Sequence, residues 1–256
     1  MNRMARRVRV SAQLVALELV RNRIAVGLLL VLPTVFYLVV FATTGDRSID
    51  FQLSATGRDV LAASERDLSM LFIGMASISG VSAFLAFVLV LRPGITDRRL
   101  VFEGYHPLQL LFAKMLVVLV AALGVAFYIT ALLPLFFTPP RGFGVFAGFF
   151  LASLVYGGLG MAIGAVARRD LEGILFILLL VNIDAGWLQN PVFYGHAHNQ
   201  GLIRILPGHH PGQVSMVSAF TEQGVLPEVA ASLFYVAAFF LIAGALYWRK
   251  VYVRRG

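Results

Sequence analysis

Cysteine is absent from the 256 residues, which removes disulfides, zinc–thiolate sites and iron–sulfur clusters from consideration. Charge is scarce as well. Asp, Glu, Lys and Arg make up 13% of the chain, against about a quarter in an ordinary soluble domain. No G-x-x-x-x-G-K-[ST] phosphate loop occurs, and no glycine fingerprint of the dinucleotide-binding kind. The chain thus carries no nucleotide-hydrolysing domain of its own, and ATP-driven work would need a separate subunit. The apolar stretches lack the ladder of acidic residues that a proton-coupled transporter needs. The basic start MNRMARRVRV has neither the short apolar core nor the small-residue cleavage site of a signal peptide, so it is expected to be retained.

Apolar residues are abundant, at 59% of the chain, and they come in runs. A helix needs roughly 20 apolar residues to cross a bilayer. Six runs approach or exceed that length, over 24–43, 68–91, 110–137, 143–166, 171–188 and 225–248. A β-barrel would show short alternating segments instead. The expected fold is therefore all-α: a polytopic membrane protein with six transmembrane helices. Residues 1–256 read as one domain, with a cytoplasmic amphipathic helix over 1–23, the bundle over 24–248 and a tail over 249–256. In the first segment Val10, Leu14, Leu17 and Arg21 share a stripe behind Arg3, Arg6, Arg7 and Arg9. This predicts a helix lying in the headgroup plane rather than a plain extension. The stretch 45–67 is polar and mixed in charge, with room for a short helix. Small residues in the second and fourth runs, Gly157, Gly158, Gly160 and Gly164 among them, predict close helix packing. Between the fifth and sixth runs, 189–224 is broken by Pro and Gly, and none of its apolar pieces is long enough to cross.

Basic residues set the orientation. The N-terminal segment, the 92–114 loop, the 168–169 turn and the 249–255 tail share one side and hold most of them. The opposite loops hold Arg47, Arg58, Arg66, Arg141 and Arg204. The positive-inside rule then places both termini in the cytoplasm. The +8 net charge lies beside span ends, which points to membrane lipid and not to nucleic acid. The preference for Arg over Lys points to a GC-rich bacterial source, and so to a bacterial cell membrane.

Three stretches carry candidate function. The first is RPGITDRRLVFEGYHPLQLLFAKM, over 92–115. Its charges cannot sit in lipid, and Leu100, Val101, Tyr105 and Leu108 recur on one helical face. It is either a docking knob for another protein or a solvated loop on the headgroups. The second is a group of four histidines, His196, His198, His209 and His210. A metal-dependent hydrolase would use these with a carboxylate to activate water, but no H-E-x-x-H helix accompanies them, and no metal site is expected. The third is the pair Asn182 and Asp184 near the outer end of the fifth span. These are candidate pathway-lining residues, or interfacial ones, and they carry the secondary-transporter alternative.

Taken together, these features resemble the permease subunits of type-2 ABC exporters over nearly the whole length. The matching features are the basic start ending in LELVRNR, the six spans, the long loop between spans two and three, and the broken hairpin before span six. The densest local match is DRRLVFEGYHPLQLLFAKML, in which Arg98, Val101, Phe102, Glu103, Gly104, Tyr105, Ala113 and Lys114 fill family positions with compressed spacing. Leu206, Pro207 and Gly208 look like the family's Leu-Pro element in an external re-entrant hairpin. The resemblance implies coupling to an ATPase subunit through Arg98, Arg99, Val101, Phe102, Glu103 and Tyr105. It implies no catalytic residue and no cofactor on this chain, with ATP and Mg on the partner ATPase. It further implies pairing with a second permease, identical or different, and outward movement of a lipid-like or amphipathic drug-like cargo.

Overall fold

The computed structural model describes residues 3–21, 23–57, 59–91, 100 and 104–253. It is predominantly helical. Helices α1 (Arg3–Arg21) and α2 (Arg23–Thr43) open the chain. A β-hairpin follows, β1 (Ser48–Gln52) and β2 (Val60–Ser64). Then come α3 (Glu65–Leu91), α4 (Pro107–Leu132), α5 (Gly142–Val166) and α6 (Asp170–Ile183). A π-helical turn, Asp184–Leu188, leads to three shorter helices, α7 (Pro191–Tyr194), α8 (Gln200–Arg204) and α9 (His209–Phe220). The last helix is α10 (Leu226–Val253).

Among the described residues five helices are long and apolar enough to cross a membrane: Glu65–Leu91, Leu108–Leu135, Gly142–Val166, Asp170–Leu188 and Leu226–Arg249. This is a membrane-embedded helical protein. Helix α2 has a shorter apolar part, Leu29–Thr43, and contains Pro33. Pro33 cannot donate a backbone hydrogen bond. One turn away the Thr34 hydroxyl and the Tyr128 hydroxyl both bond the Leu30 carbonyl, at 2.7 and 3.1 Å, and tie the two helices together there.

Helix α5 is the hub, packed against α3, α4, α9 and α10. Burial from water does not drive helices together inside lipid, so close van der Waals fit must do so. Small residues provide it. A Cβ on Gly160 would lie 2.1 Å from the Ala83 carbonyl oxygen of α3. A Cβ on Gly148 would lie 2.5 Å from the Ser215 backbone nitrogen of α9. Ser82 and Ser153 add a buried hydroxyl–hydroxyl bond of 2.5 Å between α3 and α5.

The 45–67 stretch holds a short helix, a 3-10 turn over Ser54–Thr56, set inside an antiparallel hairpin that pairs Ser48 with Ser64 through Gln52 with Val60. Ile49, Phe51 and Leu53 alternate with Asp50 and Gln52, and Phe51 and Leu53 are buried, which is the period-2 pattern of a half-buried strand. In α1 the stripe of Val10, Leu14 and Leu17 is exposed, while Ser11, Ala12 and Val15 are buried. The inward face is the opposite one. It packs with Leu111, Ala113, Val117 and Val118 of α4, and with Ala243 and Tyr247 of α10.

Candidate functional site

Two polar centres lie in the bundle, one at the start of α4 and one at the π-helical turn after α6. At the first, α4 starts abruptly because His106 caps it. The His106 ring accepts from the Leu108 N–H at 3.4 Å, and the Gln109 side chain accepts from the His106 N–H at 3.3 Å. Pro107 then occupies a first-turn position that needs no N–H. Just before this cap the Gly104 carbonyl accepts from the Arg7 guanidinium of α1 at 3.1 Å. The same guanidinium lies 5.1 Å from the centre of the Tyr105 ring.

Lys114 is buried in the second turn region of α4, and its ammonium donates to the Leu89 carbonyl at 2.7 Å. Leu89 lies in the last turn of α3, where carbonyls lack helical partners and a cation is favoured. The ammonium also lies 5.7 Å from the Tyr247 ring of α10. This centre therefore ties α1, α3, α4 and α10 to the 104–105 backbone. Of the expected coupling residues, Tyr105 is half-buried beneath Arg7. Arg98, Arg99, Val101, Phe102 and Glu103 fall outside the described residues.

At the second centre, the π-helical turn after α6 carries Asp184 into the bundle, where it is buried. Its carboxylate accepts three bonds: from the Tyr156 hydroxyl at 2.6 Å, the Gln189 amide at 2.8 Å and the Gly208 backbone N–H at 2.9 Å. Gly208 suits this close approach, because a Cβ there would sit 2.5 Å from the Tyr156 hydroxyl. Because Gln189 donates to Asp184, its oxygen remains to accept from His209 Nδ1, at 3.0 Å. Nε2 of His209 then accepts from the Ser54 hydroxyl at 2.6 Å. One chain of hydrogen bonds thus runs Ser54, His209, Gln189, Asp184, Tyr156, from the β-hairpin to α5. Burial pushes His209 down to about 4, with His210 and Arg204 adding and Glu228 opposing. A neutral ring suits the donor–acceptor pattern.

The four histidines do not form one site. His196 and His198 are exposed, His209 is buried in the chain just described, and His210 pairs with Glu228 of α10. Among the described residues no three His, Asp or Glu side chains gather where they could hold a metal. Leu206, Pro207 and Gly208 lead into α9, and Gly208 is held by Asp184. Asn182 and Asp184 have separate surroundings. Asn182 is exposed and lines a cavity of about 400 Å³ between α2, α3 and α6, together with Phe36, Phe72, Phe84 and Val181. Its amide donates to the Leu178 carbonyl at 2.7 Å. Asp184 is not among the residues that line that cavity, and it anchors the start of α9 through the Gly208 N–H. The centres around Arg7 and Gln189 have no counterpart in the sequence reading. Arg7 was one of several basic residues at the start, and Gln189 opened a broken segment.

No family model matches this chain, and no curated protein matches it.

Proposed function

We propose that this chain is the permease subunit of an ATP-driven exporter of the type-2 ABC kind, working with a separate ATPase subunit and a second permease in a bacterial cell membrane. Its six spans are α2, α3, α4, α5, α6 with its π-helical turn, and α10. Both termini are cytoplasmic, and α7 to α9 form a re-entrant hairpin on the outer side. The observation that carries this function is the junction at the start of α4. Arg7 joins α1 to Gly104 and Tyr105, and Lys114 joins α4 to Leu89 and Tyr247. Force applied by a partner to the adjoining 92–103 segment would reach four helices at once. The phosphate-binding motifs that could generate such force are missing from this sequence.

The cavity beside Asn182 supports an amphipathic, lipid-like or drug-like cargo, because its walls are apolar and it offers one amide. Phe102→Ala combined with Tyr105→Ala tests the coupling. Aromatic anchors in a desolvated groove contribute about 2 kcal/mol or more each. The double variant should insert and remain stable in detergent, yet lose co-purification with its ATPase subunit, or lose cargo-stimulated ATP hydrolysis. Unchanged binding and coupling would remove the function proposed here.

A further inference from the structure

A second and larger recess opens on another flank of α2. It is a trough of about 1250 Å³ between α1, α2 and α4. Small side chains hollow it out: Ala12 and Ala16 on α1, Ala121 and Gly124 on α4. Its walls are otherwise apolar, and several are exposed, Phe112 at 52% and Val120 at 62%. Arg9 and Gln13 stand on its α1 rim. Arg7 is engaged with Gly104, but Arg9 has no hydrogen bond or ion pair among the described residues.

The trough follows α4 from Phe112 to Tyr128, about 24 Å at helical rise. One bilayer leaflet, headgroup included, is about 20 Å deep. An occupant must therefore be apolar over most of that length and anionic at the α1 end.

We propose that this trough holds one anionic phospholipid of the bilayer, its phosphate on Arg9 and its chains between α1, α2 and α4. The charge of α1 selects the headgroup: Arg3, Arg6, Arg7, Arg9 and Arg21 face a single acid, Glu18, in that helix. A basic residue near a membrane surface favours an anionic lipid by about fivefold. The lipid is a resident of the site, independent of whatever cargo the protein moves. It also covers Val20, Phe112 and Val120 of the trough wall, which are exposed within the chain.

The full chain, purified in mild detergent, is offered phosphatidylglycerol or phosphatidylcholine, and bound lipid is counted by native mass spectrometry. The expected result is one phosphatidylglycerol per chain, with phosphatidylcholine retained about fivefold less. Arg9→Gln should erase that preference while leaving the melting temperature of the delipidated protein unchanged. Gly124→Leu should fill the trough and abolish retention of both lipids. That position tolerates a side chain, since a Cβ there meets nothing within 4 Å, and Ala121→Phe repeats the test one turn away. Equal retention by the native chain and both filled variants would overturn the proposal. So would equal uptake of the two lipids by the native chain, or cross-linking of Leu116→Cys between two copies, which would show a second chain in the trough.

Discussion

At the scale of single residues, Asp184 and Gly208 are mutually dependent. Asp184→Ala strands the Tyr156 hydroxyl, the Gln189 amide and the Gly208 N–H in a buried place. Leaving such donors unsatisfied should lower stability by about 3 kcal/mol. Gly208→Ala forces a methyl group against Tyr156 and should cost about 1–3 kcal/mol by overpacking. The double variant should be less destabilised than the sum of the two, because both disrupt one contact. Thermal unfolding in detergent measures all three. His209 gives a pH signature at the same place. Its folded pKa of about 4 lies below the ordinary 6.5, so the unfolded chain takes up the proton first. Stability should be full above about pH 6.5 and fall as pH drops from there toward 4. His209→Gln should flatten that fall in melting temperature relative to the native chain.

These residues also mark what the sequence makes visible. Asp184 and Leu206 to Gly208 stand out separately, one as a carboxylate near a span end and the other as a Leu-Pro-Gly element. Nothing in either local pattern says that the Gly208 N–H is bonded to Asp184. That bond depends on the chain returning over 24 positions through two short helices. The histidine group illustrates the same point in reverse. Closeness in sequence did not bring His196 and His198 beside His209.

At the scale of elements, periodicity was informative wherever a helix is long. The runs that became α3, α5 and α10 agree closely with their expected positions. Helix α1 is amphipathic as expected, but it offers two apolar stripes. Val8, Ala12, Val15 and Leu19 recur as regularly as Val10, Leu14 and Leu17, and only the neighbouring α4 decides which faces inward. The β-hairpin was hidden by its polar flanks, although Ile49, Phe51 and Leu53 alternate within it. The helix pair α3 and α5 rests on contact between backbones. Gly160→Leu should push them apart, cost about 3 kcal/mol, and turn a monodisperse detergent-purified sample into aggregate on size-exclusion chromatography. Gly124→Leu, equally apolar and also in a long helix, should elute as the native chain does.

At the scale of the whole molecule, the six-span arrangement makes a direct claim about sidedness. Lys and Arg crowd the segments assigned to the cytoplasm. Reporter domains fused after Gly57 and after Gln200 should read as external, and one fused after Arg169 as cytoplasmic. A cytoplasmic signal from the Gly57 fusion would reverse the assignment of α2 as a span. On that arrangement the β-hairpin and α7 to α9 would form one external cap. The Ser54–His209 bond, the acceptance of the Ala55 N–H by Gln213 at 3.1 Å, and the Phe51–Phe220 ring contact stitch it together.

Leu85 of α3 is buried, yet it belongs to the lining of both the trough beside α1 and the cavity beside Asn182. The two recesses flank α2 on different sides, with Leu32 and Phe36 turned to one and Leu29 and Leu30 to the other. One isobutyl group is thus a common partition, as a single door is to adjoining rooms. A change of size at Leu85 would therefore alter the walls of both recesses at once.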